Sequence, residues 1–389
     1  MSNRISQLAL LACLALVAAC TSTTVTTTAH TPLEQEEEVI PESQLLDVGV
    51  IPFDPGLERA DPDDETLMPE VRNAEGRFLA LNLSNTIQRS AGWGAVRIVP
   101  STQTVTDVYI EGTILHSDGE RLIVEIKAFD SSGSHWYTKE YEEIVGKYAY
   151  ERRNRGRDPF QGIYNRIAND LLDYKQSLPP QQAEQLRLIS ELRFARDFSP
   201  QAFNEYLSQN KNGKLNIEKL PATNDPLLER IERIRSRDYL YIDNLQEHYH
   251  TFVKRMETPY QEWRSMSYDE VIEVRKLKRK ATTNTIAGIG LVLAGVAGAA
   301  SSNSSGGQAA GIAGIGGGGI LIKEGFANRQ EAQIHIDTLN ELGTSLEGEI
   351  EPQIIELEDR TITLTGSVEA QYEQWKGILR EIYEQERGE

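Results

Sequence analysis

Three apolar runs joined by two short polar turns set the architecture of this chain. They lie in residues 108–141, which have the sequence VYIEGTILHSDGERLIVEIKAFDSSGSHWYTKEY. Runs rich in β-branched and aromatic residues, bounded by Ser-Asp-Gly and Ser-Ser-Gly, are typical of strands joined by tight turns. The stretch therefore predicts an antiparallel meander with strands over residues 108–115, 122–129 and 135–141.

The segments on either side of the meander add two strands and two helices. Residues 46–53 form a buried apolar run and residues 96–99 a shorter one, and both patterns favour strands. An amphipathic helix is predicted over residues 71–89, and another over residues 158–174 after an Asp-Pro start. Together these elements predict an α+β domain, a small mixed sheet flanked by helices, over residues 45–177.

The order of these segments resembles one group of bacterial envelope domains. The matching pieces are VGVIPF, VRIVP, DVYIEGTI, the meander and IYNRIANDLLDY, in that order along the chain. The group comprises the amino-terminal domain of the Tol-system propeller protein, the lipoproteins that activate penicillin-binding proteins, and the curli secretion channel lipoprotein. The resemblance implies a recognition domain of the cell envelope. Propeller repeats and the channel-forming insertion are absent from the sequence, so neither specific function is implied.

The first twenty residues resemble the signal of bacterial lipoproteins. Arg4 precedes a short apolar run over residues 8–16, and Val-Ala-Ala-Cys closes it at Cys20. Such a segment is a processing signal and is left out of the fold. The resemblance implies cleavage between Ala19 and Cys20, and acylation of Cys20, which then anchors the protein in membrane lipid. Thr21 in place of aspartate implies, by the enteric sorting pattern, an outer-membrane location facing the periplasm.

Residues 20–44 have the composition of a flexible tether. A run rich in threonine and serine is followed by three consecutive glutamates. Such a composition buries little apolar surface. At about 3.3 Å per extended residue, a tether of this length would hold the first domain tens of Å from the membrane.

The chain is strongly acidic and has almost no cysteine. Its 389 residues include 59 Asp and Glu against 40 Lys and Arg, a formal net charge of −19. This balance disfavours nonspecific binding to nucleic acid and to anionic headgroups. The two cysteines are Cys13, inside the signal, and Cys20. A disulfide within the mature chain is therefore excluded.

Residues 178–282 predict a helical domain. Amphipathic helices are expected over residues 183–198, 199–207 and 225–256, with a polar loop over residues 208–214. Asp238 interrupts the apolar stripe of the last helix. Packing in a bundle and a coiled-coil stalk that joins copies of the chain both stay open.

A glycine-rich hydrophobic segment follows at residues 283–323. Two uncharged arms, residues 285–300 and 309–322, flank a polar loop, and a basic run at residues 275–280 precedes them. Small residues recur at four-residue spacing at Gly290, Ala294 and Gly298, at Gly307 and Gly311, and at Gly314 and Gly318. Such rows let helix backbones approach closely in lipid, and the arms resemble the glycine-zipper hairpins of outer-membrane lipoproteins. Each arm is shorter than the about 20 residues of a free span. Insertion, association between copies and burial in protein therefore stay open.

Residues 324–389 predict a small α/β tail. A helix through residue 342, a hairpin with strands at residues 354–357 and 361–364, and a last helix over residues 368–383 are expected. The stretch IELEDRTITLTGSVEAQYEQW is similar to the strand–strand–helix part of BON domains, which implies contact with lipid.

The sequence carries no recognised catalytic or metal-binding motif. His248 and His250 would point about 200° apart on a helix, which excludes a shared metal ion. No Walker-type, HExxH or GxSxG motif is present. We expect no enzymatic activity, cofactor or metal, and no nucleic-acid partner. The expected role is a scaffold or accessory subunit of an envelope assembly, partnered by an envelope protein or by further copies of itself. The alternatives are an oligomeric pore or secretion channel built from the glycine-rich arms and, third, an envelope hydrolase.

Overall fold

The structure, a computed structural model, describes most of the chain after its first thirty residues. The described ranges are residues 31–60, 67–154, 156–222, 225–298, 353–357 and 360–387, with residues 334, 337, 338, 340 and 341. For residues 277–298 only the backbone is described. The predictions for the signal, the second glycine-rich arm and the loop between the arms lie outside the described residues.

A five-stranded mixed sheet lies at the centre of the fold, as the sequence predicts. Its strands are β1 (Val48–Val50), β2 (Val96–Ile98), β3 (Val108–Ser117), β4 (Arg121–Asp130) and β5 (His135–Ile144). They lie in the order β2-β1-β3-β4-β5. β1 is parallel to both of its neighbours, and β3, β4 and β5 form the antiparallel meander.

Two helices cover one face of this sheet, α1 (Pro69–Arg89) and α2 (Gln161–Ser177). Alternate residues of β4 are buried on that side, namely Leu122, Val124, Ile126 and Ala128. The other face carries charged pairs such as Lys127 with Glu111, whose Nζ and Oε2 are 2.8 Å apart. This alternation of apolar and polar residues is typical of an antiparallel sheet with one solvated face.

The elements predicted as a helical domain share one continuous apolar core with the sheet domain. They begin with α3 (Pro180–Phe198) and a single turn, α4 (Pro200–Phe203). Most of the polar loop predicted over residues 208–214 is the turn of a hairpin, whose strands β6 (Leu207–Gln209) and β7 (Leu215–Ile217) the sequence did not predict. Gly213 allows the turn with a φ of 83°, and the Leu215 N–H donates to the Ser132 carbonyl at 2.8 Å.

The next helix, α5 (Pro226–Gly298), has 73 residues and runs far beyond its predicted end at residue 256. Pro259 lies inside it, where a proline lacks the N–H of the helical hydrogen bond and usually interrupts a helix. Tyr260 and Trp263 follow directly and are buried against the sheet domain. Their packing stabilises the helix across the proline, since tertiary contacts supply most helical stability in proteins.

Within residues 31–44, predicted as part of the flexible tether, residues 31–36 lie along α2 and residues 42–44 contact α3. The Thr31 carbonyl accepts a hydrogen bond from the Asn165 amide at 2.7 Å, and the Glu34 N–H donates to Asn169 Oδ1 at 2.9 Å. The tether prediction is therefore wrong for these residues. Polar side chains of α2 satisfy backbone groups that the sequence alone leaves to water.

The carboxyl-terminal part forms the predicted hairpin and last helix. These are β8 (Gln353–Leu357), β9 (Arg360–Leu364) and α6 (Val368–Arg387). On α6, the rings of Tyr372 and Trp375 stack on Tyr241 of α5 at centroid distances of 6.0 and 5.5 Å. Arg237 and Glu386 add an ion pair at 2.8 Å, so α6 is docked on the first part of α5.

Asp238, the charged break in the apolar stripe of α5, is buried beneath α6. The Tyr372 hydroxyl donates to its Oδ2 at 3.4 Å. Burial raises the pKa of Asp238 to about 7, against smaller lowering effects of Tyr372, Lys376, Arg235 and Trp375. The docked helix therefore favours the protonated, neutral carboxyl.

We predict that the docking of α6 weakens as the pH rises toward 7. The carboxyl has a pKa of 3.8 when solvated. Its contribution to the free energy of unfolding is therefore full below that pH and is lost as the pH rises through about 7. Asp238→Asn should raise the free energy of unfolding at about pH 8 by up to about 4 kcal/mol, at 1.36 kcal/mol per pKa unit.

The control for this prediction is Asp243→Asn, a half-exposed carboxylate on the same helix. Urea denaturation at pH values on both sides of the transition gives the free energies. The Asp238→Asn protein should lose this part of the pH dependence, and the control should keep it. If the free energy of unfolding changes equally with pH in the Asp238→Asn protein and in the parent protein, the prediction is contradicted.

Candidate functional site

Three of the site residues predicted from the sequence lie on described backbone. Gly290, Ala294 and Gly298 fall on the last turns of α5, and their four-residue spacing puts them on one side of the helix. Gly307, Gly311, Gly314 and Gly318 lie outside the described residues, as do Ala19 and Cys20. The pairing of the two arms as a hairpin stays a prediction.

One end of the sheet domain leads toward two of the regions predicted to contact lipid, Cys20 and the glycine-rich segment. We call it the exit end. It consists of the β3–β4 turn (residues 117–120), the β5–α2 connection (residues 145–160) and α5 from Arg264 onward. From this end α5 continues to Gly298.

The chain that follows Cys20 also reaches the sheet domain near the exit end. Thr31 is bonded to Asn165, which lies in the first two turns of α2, directly after the β5–α2 connection. From there residues 31–36 run along α2 away from the exit end, because Glu36 binds Gln176 near the other end of that helix. The first described residue after Cys20 and the helix that leads to the first glycine-rich arm therefore lie at the same end of the domain.

A buried ion pair holds α5 at the exit end. Arg264 has no exposed side-chain area, and its Nη1 lies 3.1 Å from both carboxylate oxygens of Asp158. The rings of Tyr260, Phe160 and Phe78 surround the guanidinium carbon at 3.9, 5.0 and 5.5 Å from their centroids. Burial by itself lowers the pKa of Arg264, but Asp158 and nearby phenols outweigh it and raise that pKa well above its ordinary value.

A second buried carboxylate, Glu75 of α1, ties α5 to the sheet. It accepts hydrogen bonds from the hydroxyls of Ser117, at the end of β3, and of Tyr260 on α5. Arg72 Nε lies 3.5 Å from its other oxygen. Glu75 and Tyr260 have no exposed area. One carboxylate therefore connects α1, β3 and α5.

The β3–β4 turn touches the backbone of α5 directly. A Cβ atom at Gly119 would lie 2.0 Å from the Arg264 carbonyl oxygen and 2.6 Å from the Tyr268 nitrogen. Only glycine permits so close an approach. Next to it, Glu120 binds Arg275 at 2.6 Å. The contact between turn and helix spans about three helical turns and fixes the direction in which α5 leaves the domain.

The β5–α2 connection is packed against α5 but presents several side chains to solvent. The Tyr150 ring lies 5.6 Å from that of Tyr268, and its hydroxyl donates to the Gly119 carbonyl. The exposed side chains here are Ile144, Tyr148, Lys147, Arg152 and Arg157. We refer to residues 144–157 as the basic loop. Sequence reasoning missed it, although four arginines within residues 152–157 were a visible signal.

A second cluster of charged groups lies at the opposite end of the sheet. Asp107 accepts hydrogen bonds from the Asp47 N–H at 2.8 Å and from the Ser190 hydroxyl, to which Arg235 donates at 3.1 Å. Burial raises the pKa values of Asp107 and Glu191. The adjoining cavity of about 180 Å³ is smaller than the roughly 300–1,000 Å³ of ligand pockets. We interpret this cluster as the polar contact that joins α3 and α5 to the sheet.

Within the described ranges, no group of three or more His, Cys, Asp or Glu residues is arranged to hold a metal ion. In that same part of the chain, no helix combines the length and the apolar character that a bilayer crossing requires.

The comparisons with family models and with curated protein sequences yield no relative from which a function can be transferred. No family model matches the chain, and no curated protein matches it significantly in sequence.

We predict that Arg264→Met lowers the free energy of unfolding by about 3–5 kcal/mol, because it leaves the Asp158 carboxylate buried without its partner. The matched control is Arg59→Gln, which breaks a more exposed arginine–carboxylate pair with Glu125. That change should have little effect on the free energy of unfolding, because exposed ion pairs contribute little to stability. Urea denaturation followed by intrinsic fluorescence measures both. If Arg264→Met lowers the free energy of unfolding no more than Arg59→Gln does, the prediction is contradicted.

Proposed function

We propose that this protein is a lipid-anchored lipoprotein of the outer membrane, facing the periplasm. It acts without enzymatic activity, as a scaffold or accessory subunit of a cell-envelope assembly. Acylated Cys20 supplies one membrane contact and the glycine-rich segment supplies a second. The observation that carries the proposal is the exit end, near which the described chain begins at Thr31 and from which α5 leads to the first arm.

Chain lengths support this arrangement. Between Cys20 and Thr31 there are eleven peptide links, which span at most about 40 Å when fully extended. Along α5, the ten residues from Arg275 to Thr285 rise about 15 Å before the first arm begins. Both contacts can therefore reach one bilayer while the sheet domain stays close to its surface.

The buried contacts that attach α5 to the sheet domain support the proposed role as a scaffold. Arg264, Tyr260 and Gly119 hold the helix against the sheet domain by buried contacts, and the arm begins on that same helix. One continuous helix therefore connects the domain to the first arm as far as Gly298. The partner is another envelope protein or a further copy of the chain, bound to a domain of fixed orientation.

An oligomeric pore or secretion-channel component is the alternative. The observation that favours it is the unbroken helix that carries Gly290, Ala294 and Gly298 out from the domain. Such a row allows close contact between helices of neighbouring copies. A ring built from the arms predicts defined oligomers that are lost on Gly290→Leu with Gly298→Leu, whereas a monomeric scaffold keeps its membrane attachment.

Membrane extraction of two variants tests the proposal. One is Cys20→Ala, and the other combines Cys20→Ala with deletion of residues 285–322. Both are exported through a cleavable signal without a lipobox and washed with high salt and carbonate. We expect the full-length unlipidated protein to stay in the membrane and the deleted protein to wash off. If both wash off equally, the second membrane contact is refuted.

A further inference from the structure

We propose that the basic loop, residues 144–157, docks onto the anionic headgroups of the membrane in which the protein is anchored. The orientation of this surface rests on the proposed function. The loop itself is argued from its charge, its exposed apolar side chains and its attachment to α5.

The charge of the loop is opposite to that of the chain as a whole. The chain carries a net −19, yet residues 147–157 contain five basic residues and one acidic residue. Electrostatic screening acts over about 8–10 Å at physiological salt. A headgroup in contact with the loop is therefore exposed to Lys147, Arg152 and Arg157. Glu151 and the α5 carboxylates Glu257 and Glu262 line one cavity with Arg157 and oppose this attraction, while acidic groups farther than the screening length contribute little. The expectation that net charge disfavours anionic lipid does not extend to this surface.

Two exposed apolar side chains lie within the same loop. Tyr148 is 58% exposed, and Ile144, at the end of β5, is 46% exposed. Single exposed apolar residues are common on protein surfaces. Here both flank Lys147 and precede the arginines, and tyrosine beside basic residues is the combination enriched where proteins meet the bilayer interface. Basic side chains beside exposed apolar ones match a membrane surface, whose headgroups are negatively charged and whose interior is apolar.

Contacts with α5 also fix the position of the loop along the axis of that helix, shortly before the basic run. Tyr150 packs on Tyr268, and Asp158 binds Arg264. The basic run at residues 275–280 begins seven residues after Tyr268, about 10 Å farther along the helix. The long side chains of Lys147, Arg152 and Arg157 extend from the loop while their charged ends stay in water or among phosphates. Loop and basic run therefore form two successive contacts with one headgroup layer.

The test is the partition of the full mature chain, carrying Cys20→Ala, between water and lipid vesicles. Partition coefficients are measured by lipid titration with phosphatidylcholine alone and with about 30 mol% phosphatidylglycerol added, which supplies the anionic charge. The parent protein should prefer the anionic vesicles. Arg152→Gln with Arg157→Gln should lower that preference about thirty-fold, from about 1 kcal/mol for each basic residue near the surface.

The matched control is Lys211→Gln with Lys214→Gln, which removes two exposed charges from the β6–β7 turn at the opposite end of the sheet. This variant should keep the parent's preference. Tyr148→Ser should weaken binding to both kinds of vesicle by a few-fold, since its contribution does not depend on lipid charge.

The outcomes separate this inference from the proposed function. Equal preference for anionic vesicles in the loop variant and the control variant overturns the inference. Under the proposed function, binding to neutral vesicles depends on the glycine-rich segment. If the parent protein does not bind neutral vesicles, the second membrane contact of the proposed function is refuted. A loop-dependent preference for anionic vesicles would still support the inference.

Discussion

The buried pair of Arg264 and Asp158 is the contact on which the arrangement of this protein depends. Placing a guanidinium inside a shell of aromatic rings has a high desolvation cost, and only a well-placed carboxylate offsets it. That requirement admits one register of α5 against α1 and α2. Other registers would leave Arg264 without Asp158, and Glu75 without the Tyr260 hydroxyl.

Fixing the register of α5 fixes the exit end. Gly119 lets the β3–β4 turn rest on the helix backbone, and Tyr150 fastens the basic loop to the same stretch. The helix then leaves the domain toward the glycine-rich segment, at the end of the domain near which Thr31, the first described residue after Cys20, is bonded to α2. Under the proposed function, the domain presents this end to the membrane.

The sequence predicted the regular elements well and the contacts between distant elements poorly. The meander over residues 108–141 and the covering helices follow from local periodicity, which a single sequence displays. The extent of α5 does not, because Pro259 is a local stop signal that only the distant packing of Tyr260 overrides. Asp238 was visible as a break, but its neighbours on α6 are more than 130 residues away. The basic loop was missed because the net charge of the whole chain is strongly negative. Its four arginines within residues 152–157 are nevertheless visible in the sequence.

The orientation of the sheet domain at the membrane is the central claim, and depth-dependent fluorescence quenching tests it most directly. A thiol-reactive fluorophore is attached to Tyr148→Cys or to Lys214→Cys in the mature protein. Under the proposed function Cys20 is acylated and takes up no label. Both proteins are reconstituted in vesicles containing brominated lipids. The account predicts strong quenching of the label at position 148 and none at position 214. Equal quenching of the two labels, or stronger quenching at position 214, would contradict it.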